Sequence, residues 1–434
     1  MTMTIHVVRE GDTLYKIAQQ HGLPLQAVLR ENELLDPDRL TPGQTIILRR
    51  PRQTHIVQEG ETLSAIARRY GTTTDVLWQN NPGLRGSSSL VPGQELVIFY
   101  QEMKHGKLAV NGYAYPFIEE SVLRTTLPYL TYLSVFSTGF DENGQLVRPT
   151  ENDLPAIARE YGVVPLLVLT TLDASGLFSG ERASSLLRDP AARQRLIDSL
   201  LAYLQEQGYG GVDIDFEYIP AADGPAYAAF IHEVTRTLNA AGLRVFTALA
   251  PKTSAEQRGL LYESHDYAAL GEASNDALIM TYEWGYARSA PMAVAPIDKV
   301  EQVVRYAVSA IPPCKIFMGV PNYGYDWTLP YVEGESVAQS IGNVAAVEQA
   351  IAVGSFIDYD ERAQTPHYNY FRGNSEHEVW FEDARSIEAK LALAQRYGLR
   401  GVSIWNIMRW FPQLWQVLSA NYVIEKAGNM RNNA

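Results

Sequence analysis

The stretch Gly211-Val212-Asp213-Ile214-Asp215-Phe216-Glu217-Tyr218 decides how the rest of the chain is read. In a strand, successive side chains point to opposite faces, so Val212, Ile214 and Phe216 share one face and Asp213, Asp215 and Glu217 the other. The apolar face suits packing beneath helices. Three carboxylates on the other face are costly in an interior unless they are hydrogen-bonded or protonated. Like charges at this spacing raise at least one pKa, which suits an acid that must donate a proton near neutral pH. Glu217, at the C-terminal end, is best placed to reach a substrate. The same residues also admit a hard-cation site or a cluster of buried structural acids.

Seven further apolar, β-rich runs flank this one: Lys107–Tyr115, Tyr132–Ser137, Val164–Thr170, Val245–Ala250, Ala277–Tyr282, Ile316–Tyr323 and Gly401–Ile407. Helical patterns such as Asp189–Gln207 and Ala226–Ala241 separate most of them. Eight strands joined through helices call for parallel crossovers, and the count predicts an α/β fold, a (β/α)8 TIM barrel. The connection after the seventh run is too long for one helix. It holds a helical piece near Asn343–Ala352 and strand-like pieces at Thr365–Phe371 and His377–Phe381, so a small α+β insertion over about 328–385 is expected above the C-terminal face of the barrel.

N-terminal to the barrel lies an internal repeat. HVVREGDTLYKIAQQHG from His6 recurs as HIVQEGETLSAIARRYG from His55, and each copy closes on LTPGQTIIL (40–48) or LVPGQELVI (90–98). Each copy reads β-α-α-β: a short strand, a turn ending in a helix cap, an apolar i, i+3, i+4 face (Leu14, Ile17, Ala18; Leu63, Ile66, Ala67) and a Pro-Gly-Gln turn into the last strand. The expected domains are 1–50, 51–101 and 102–434.

Composition narrows the function. Of 434 residues, 46% are apolar, which excludes a largely disordered chain, and the formal net charge of −13 argues against nucleic acid as the main ligand. Residues 1–100 carry 10 acidic and 10 basic side chains, so the whole excess lies in the barrel. The 7 Trp and 25 Tyr hint at sugar, whose C–H faces stack on aromatic rings. The N-terminus has neither a basic region nor an apolar run of a secretory leader, and no window is apolar enough to span a membrane. Cys314, the single cysteine, forms no intrachain disulfide and is expected to be buried and inert. His232, in mid-helix, is expected to be structural or exposed.

The repeats resemble the LysM domain nearly end to end. The resemblance implies binding of N-acetylglucosamine-containing glycan in a shallow groove, made by Gly11, Asp12, Thr13 and Leu14 with Pro42 and Gly43 in the first copy, and by Gly60, Glu61, Thr62 and Leu63 with Pro92 and Gly93 in the second. The alternative is that these are only fold-specifying turns.

The acidic strand resembles the Asp-x-x-Asp-x-Asp-x-Glu signature of glycoside hydrolase family 18. Asp213, Asp215 and Glu217 match its last three acids, and the first position is Gly210, a departure that bears on support of the strand. Met280-Thr281-Tyr282-Glu283 and Trp405 extend the likeness. It implies substrate-assisted, retaining hydrolysis without metal or other cofactor. In that scheme Glu217 is the acid and then the base, the substrate's acetamido oxygen is the nucleophile, Asp215 orients the acetamido N–H with Asp213 as its support, and Tyr282 binds the acetamido oxygen. Trp405, Tyr113, Tyr115, Met280, Glu283, Trp284, Asn322 and Tyr323 are the candidate cleft residues.

Two LysM repeats joined to this barrel, together with strings such as MTYEWGYA and GVPNYGYDW, look like the spore-cortex-lytic N-acetylglucosaminidases of spore-forming bacteria. That likeness implies peptidoglycan as partner, a monomer, and a spore-associated enzyme made in the mother cell without a signal peptide. A chitinase and a non-catalytic glycan-binding lectin are the competing readings.

Overall fold

The computed structural model describes residues 3–150, 152–172 and 176–426. Each repeat forms a two-stranded antiparallel sheet covered by two helices. In the first, β1 (Thr4–Val7) pairs with β2 (Thr45–Leu48); in the second, β3 (Pro51–Ile56) pairs with β4 (Glu95–Tyr100). Thr13 and Thr62 cap the first helix of each, accepting from Lys16 N at 3.3 Å and Ala65 N at 3.2 Å. Leu14, Ile17 and Ala18, with their counterparts Leu63, Ile66 and Ala67, are the centres of two small separate cores.

The barrel follows. Its strands are β5 (Gly106–Ala114), β6 (Tyr132–Thr138), β7 (Val164–Thr170), β8 (Gly211–Asp215), β9 (Arg244–Leu249), β10 (Asp276–Ile279), β11 (Ile316–Pro321) and, after an excursion, β17 (Gly401–Trp405). All pair in parallel in sequence order, and β17 returns to β5, closing the barrel. A ninth short strand, β18 (Tyr422–Ile424), adds to the start of β5. The barrel's lower interior is plugged by aromatic and aliphatic side chains, among them Tyr132, Phe246 and Phe317, whereas the main core lies between strands and helices.

The excursion is a five-stranded antiparallel sheet of β12 (Gly324–Thr328), β13 (Gln339–Ile341), β14 (Asp358–Asp360), β15 (Thr365–Arg372) and β16 (Ser375–Trp380), with the helix Asn343–Val353 on it. It begins at Gly324, four residues earlier than expected. The sequence reading leaves residues 324–327 unassigned, but Gly324 runs so close to β16 that a Cβ would stand 2.1 Å from the Trp380 carbonyl oxygen. The acidic strand ends sooner than its sequence pattern suggests: β8 stops at Asp215, and Glu217 lies just beyond it. Cys314, expected to be buried, is exposed, because Pro312 and Pro313 hold it in a short turn outside the barrel.

Both repeats are docked on the barrel, differently. The second leans its helical side on the segments after β5 and β6: Gln79 Nε2 donates to Pro128 O at 2.8 Å and Tyr161 Oη to Gly86 O at 2.8 Å. The first is gripped by the insertion as well. Ile357 N donates to Pro42 O at 2.9 Å, Thr41 Oγ1 to Ser355 O at 2.7 Å and Arg385 Nη2 to Gly43 O at 3.1 Å.

Candidate active site

The alternation read in the acidic strand continues one residue past its end. Val212, Ile214 and Phe216 are fully buried on the outer side, and Asp213, Asp215 and Glu217 turn inward, with Glu217 half-buried at the mouth. Asp215 and Glu217 enter a cavity of about 1080 Å³ at the C-terminal end of the barrel, together with Tyr282, Met280, Glu283, Trp405, Tyr113 and Tyr115. Eight sequence-predicted residues therefore converge. Tyr113 packs edge-on against Trp405 with centroids 5.1 Å apart, and Phe136 does so at 5.1 Å.

Asp213 lies beneath. Its Oδ2 accepts from Tyr113 Oη at 2.5 Å and from Ser134 Oγ at 3.1 Å. Ser134 also reaches Asn111 Oδ1 at 3.1 Å, and Asn111 Nδ2 donates to Ser403 Oγ at 3.0 Å. This polar layer spans four strands and supports the carboxylates from below. At Gly210, the departure from the signature, a Cβ would meet Val164 Cγ1 at 2.2 Å, so a side chain there would require Val164 to move.

The electrostatics match a site that must hold a proton. Burial, followed by the nearby charge of Glu283, pushes the Glu217 carboxyl up to about 7. Burial, then the charges of Glu217 and Asp213, raises Asp215 well above the carboxylate range. Asp213 is raised by burial to about 6, against the lowering pull of Tyr113 and Ser134. Among the described residues the buried Oδ1 atoms of Asp213 and Asp215 have no hydrogen-bond partner. Glu283 and Tyr218 adopt left-handed backbone conformations, φ 67° and 56°. Strain of this kind concentrates where a site over-determines the chain. At Glu283 it turns the carboxylate toward Tyr323 Oη and Tyr325 Oη, the latter at 3.2 Å, both of which donate to it.

Several expectations need correction. Asn322 does not line the cavity: its Nδ2 donates to the carbonyls of Asn406 and Arg409, each at 2.9 Å, and so staples the loop after β17. Tyr323 stands behind Glu283 and reaches the site only through it. Among the described residues the insertion contributes none to the cavity lining: Tyr325 of β12 reaches the site only through Glu283, and the loop at residues 355–357 contacts the first repeat. Among the described residues no three His, Cys, Asp or Glu side chains form a metal-ligand cluster.

The repeats depart from expectation too. Leu14 and Leu63 are buried core residues. Asp12 Oδ2 and Glu61 Oε2 accept from the backbone of Arg9 and Gln58, each at 2.8 Å, and so close their own turns. Pro42 and Gly43 are covered: a Cβ on Gly43 would stand 1.8 Å from the Ile357 carbonyl oxygen. In the second repeat Pro92 and Gly93 are exposed, and among the described residues no atom lies within 4 Å of a Cβ placed at Gly93 or Gly60. Only the second copy has both sides of its loop groove open.

Sequence reasoning missed Asn111, Ser134, Ser403 and Tyr325. The first three left a signal, a polar side chain at an inward position of an otherwise apolar strand. It also missed Phe117, Phe178, Arg148 and Asn152 on the cavity wall, which come from long loops without periodicity.

Comparison with known proteins agrees with this geometry. Residues 175–409 match the model of glycosyl hydrolases family 18, and residues 6–49 and 55–99 each match the LysM domain. The chain is 38% identical to the cortical fragment-lytic enzyme of Bacillus subtilis over 98% of its own length and 99% of that protein's. The crystal structure of the Bacillus megaterium spore cortex-lytic enzyme SleL superposes with a TM-score of 0.84 at 35% identity, covering 98% of this chain and 99% of the other. A chitinase of Chromobacterium violaceum shares the fold, with a TM-score of 0.67 at 23% identity over 72% of this chain and 98% of the other. A closed eight-stranded barrel with inward acids on its fourth strand, the family match and this end-to-end similarity lead to one assignment: the chain belongs to the glycosyl hydrolases of family 18 and carries two LysM domains.

Proposed function

We propose that the protein hydrolyses β-1,4 linkages after N-acetylglucosamine in the peptidoglycan of the bacterial spore cortex. Residues 102–434 form the catalytic unit in this reading, and the repeats at 1–50 and 51–101 hold the glycan. The observation that carries it is the convergence of Asp215, Glu217 and Tyr282 on one cavity, with Glu217 protonated up to about neutral pH.

The steps follow from these positions. Glu217 gives its proton to the glycosidic oxygen as the bond to C1 breaks. The acetamido carbonyl oxygen of the same sugar attacks C1 and forms an oxazolinium ion, leaving no bond to the protein. Asp215 accepts the acetamido N–H and offsets the positive charge, while Tyr282 donates to the acetamido oxygen. Asp213, held by Tyr113 and Ser134, supports Asp215. Glu217, now a carboxylate, takes a proton from the incoming water, which opens the ring with net retention. We place the protein at the spore and read it as a monomer. Among the described residues no helix is long and apolar enough to cross a membrane.

The test is mass spectrometry of products from purified cortex peptidoglycan and from chitin oligomers. Fragments ending in N-acetylglucosamine at the new reducing end, from cortex, are expected. Products from chitin alone would make the protein a chitinase, and none from either would make it a lectin.

The pH dependence is a second expected result. Glu217 must be protonated to act as acid, so kcat/KM falls as pH rises through about 7. Glu283 helps to raise that carboxyl, so Glu283→Gln moves the basic limb to lower pH. A limb that stays in place in the variant would remove Glu283 from that influence.

A further inference from the structure

Phe216 stands between Asp215 and Glu217, past the end of the barrel ladder: pairing to β7 stops at Asp215 and pairing to β9 at Ile214. Something other than the sheet must hold the backbone there. On the outer side Tyr227 and Phe230 stack on the Phe216 ring, with centroids 5.8 and 5.9 Å away. The carbonyl is held by His265. Its Nε2 donates to Phe216 O at 3.0 Å, and its Nδ1 accepts from Ala250 N, the first residue after β9, at 2.8 Å. Ala250 N–H can only donate and Phe216 O can only accept, so the two partners select one tautomer of the neutral ring. His265 is fully buried, and burial pushes its pKa down to about 4, so the ring stays neutral near pH 7.

The bridge is itself fixed. Lys252 Nζ donates to His265 O at 3.1 Å, while Tyr267 Oη donates to Ala250 O at 2.6 Å and accepts from Lys252 N at 3.0 Å. A buried histidine often does no more than stitch a core. The carbonyl held by this one belongs to the peptide that carries Glu217 N, so turning that peptide swings the Glu217 side chain. His265 is absent from the cavity wall and touches no substrate.

We propose that His265 is a positioning residue for the catalytic acid: by holding the Phe216 carbonyl it aims the Glu217 carboxyl at the glycosidic oxygen. The inference rests on the function proposed above and deepens the part given there to Glu217.

The test splits the two bonds of the ring in the full chain. In His265→Asn, Oδ1 takes the place of Nδ1 and can still accept from Ala250 N, but nothing reaches Phe216. In His265→Gln, the amide nitrogen takes the place of Nε2 and can still donate to Phe216 O, but Ala250 N is left alone. Each variant leaves one buried backbone group unpaired, so both should lower Tm to a similar extent. On cortex strands His265→Asn should lower kcat by about 10- to 100-fold, the scale of a misaimed catalytic group, with KM little changed. His265→Gln should keep kcat close to wild type. Equal kcat in the two folded variants overturns the role of His265. Should His265→Asn not fold, His265→Met replaces it, a side chain as long as Gln without a donor; the same loss is expected, and a near-normal kcat would overturn the role. Wild-type cleavage of chitotetraose with none of cortex strands would overturn the proposed substrate instead, and the variants are then compared on chitotetraose with the same expectations.

Discussion

Glu217→Gln lowers turnover by at least ~100-fold while binding of glycan survives. The amide has the shape of the carboxyl and fills the same place at the mouth of the cavity, but it holds no transferable proton. The loss should depend on the leaving group. A natural glycan leaves as an alkoxide and needs the proton; an aryl glycoside leaves as a stabilised phenolate and needs it much less. Turnover of a methylumbelliferyl N-acetylglucosaminide should therefore fall less than turnover of cortex strands. Near-normal rates on cortex strands would take Glu217 out of the acid role, and equal loss on both substrates would place the loss in the water-attack step that both share, where Glu217 acts as base.

Asp215→Asn carries the second large effect, and it works in two directions. Activity should fall by roughly 100- to 1,000-fold, because an amide cannot offset the charge that develops on the oxazolinium ion. Stability should rise. Asp215 is nearly fully buried, one of its oxygens has no partner among the described residues, and its pKa is raised well above 3.8 by burial and by Glu217 and Asp213. A raised carboxyl pKa means that the folded state resists ionisation more than the unfolded chain does. The native protein loses stability as pH climbs above the ordinary carboxyl value, and the loss is complete above the folded one. The gain in Tm of Asp215→Asn should be small at pH 4 and largest at pH 8. A variant no more stable than wild type at pH 8 would show that the site bears no such strain.

That coupling of activity to instability explains why the site was so legible in sequence. Acids at alternate positions of an otherwise apolar strand oppose folding, so they stand out against Val212, Ile214 and Phe216 as residues kept for chemistry. The eight barrel strands were readable for the complementary reason: each is a short run of apolar residues bounded by turns or helices. What escaped the reading depends on contacts distant in sequence. Asn322 has the composition of a cleft residue, but its partners are the carbonyls of Asn406 and Arg409, more than 80 residues away. Gly324 falls in the unassigned link after the run Ile316–Tyr323, and only the position of β16 shows that the insertion's sheet already begins there. Pro42-Gly43 and Pro92-Gly93 are nearly identical in sequence, and only the position of Ile357 makes one covered and the other open.

That last difference has a mechanical consequence. With its loop locked beneath the insertion and its strand β2 packed into the barrel's main core through Ile47, the first repeat acts as a bracket, and the second is bolted to the barrel beside it. Grip and cutting edge then belong to one stiff body, like the jaws of a caliper set to a single opening. Held by its second repeat, such an enzyme reaches only bonds at that one offset, and it must let go of the wall to reach the next.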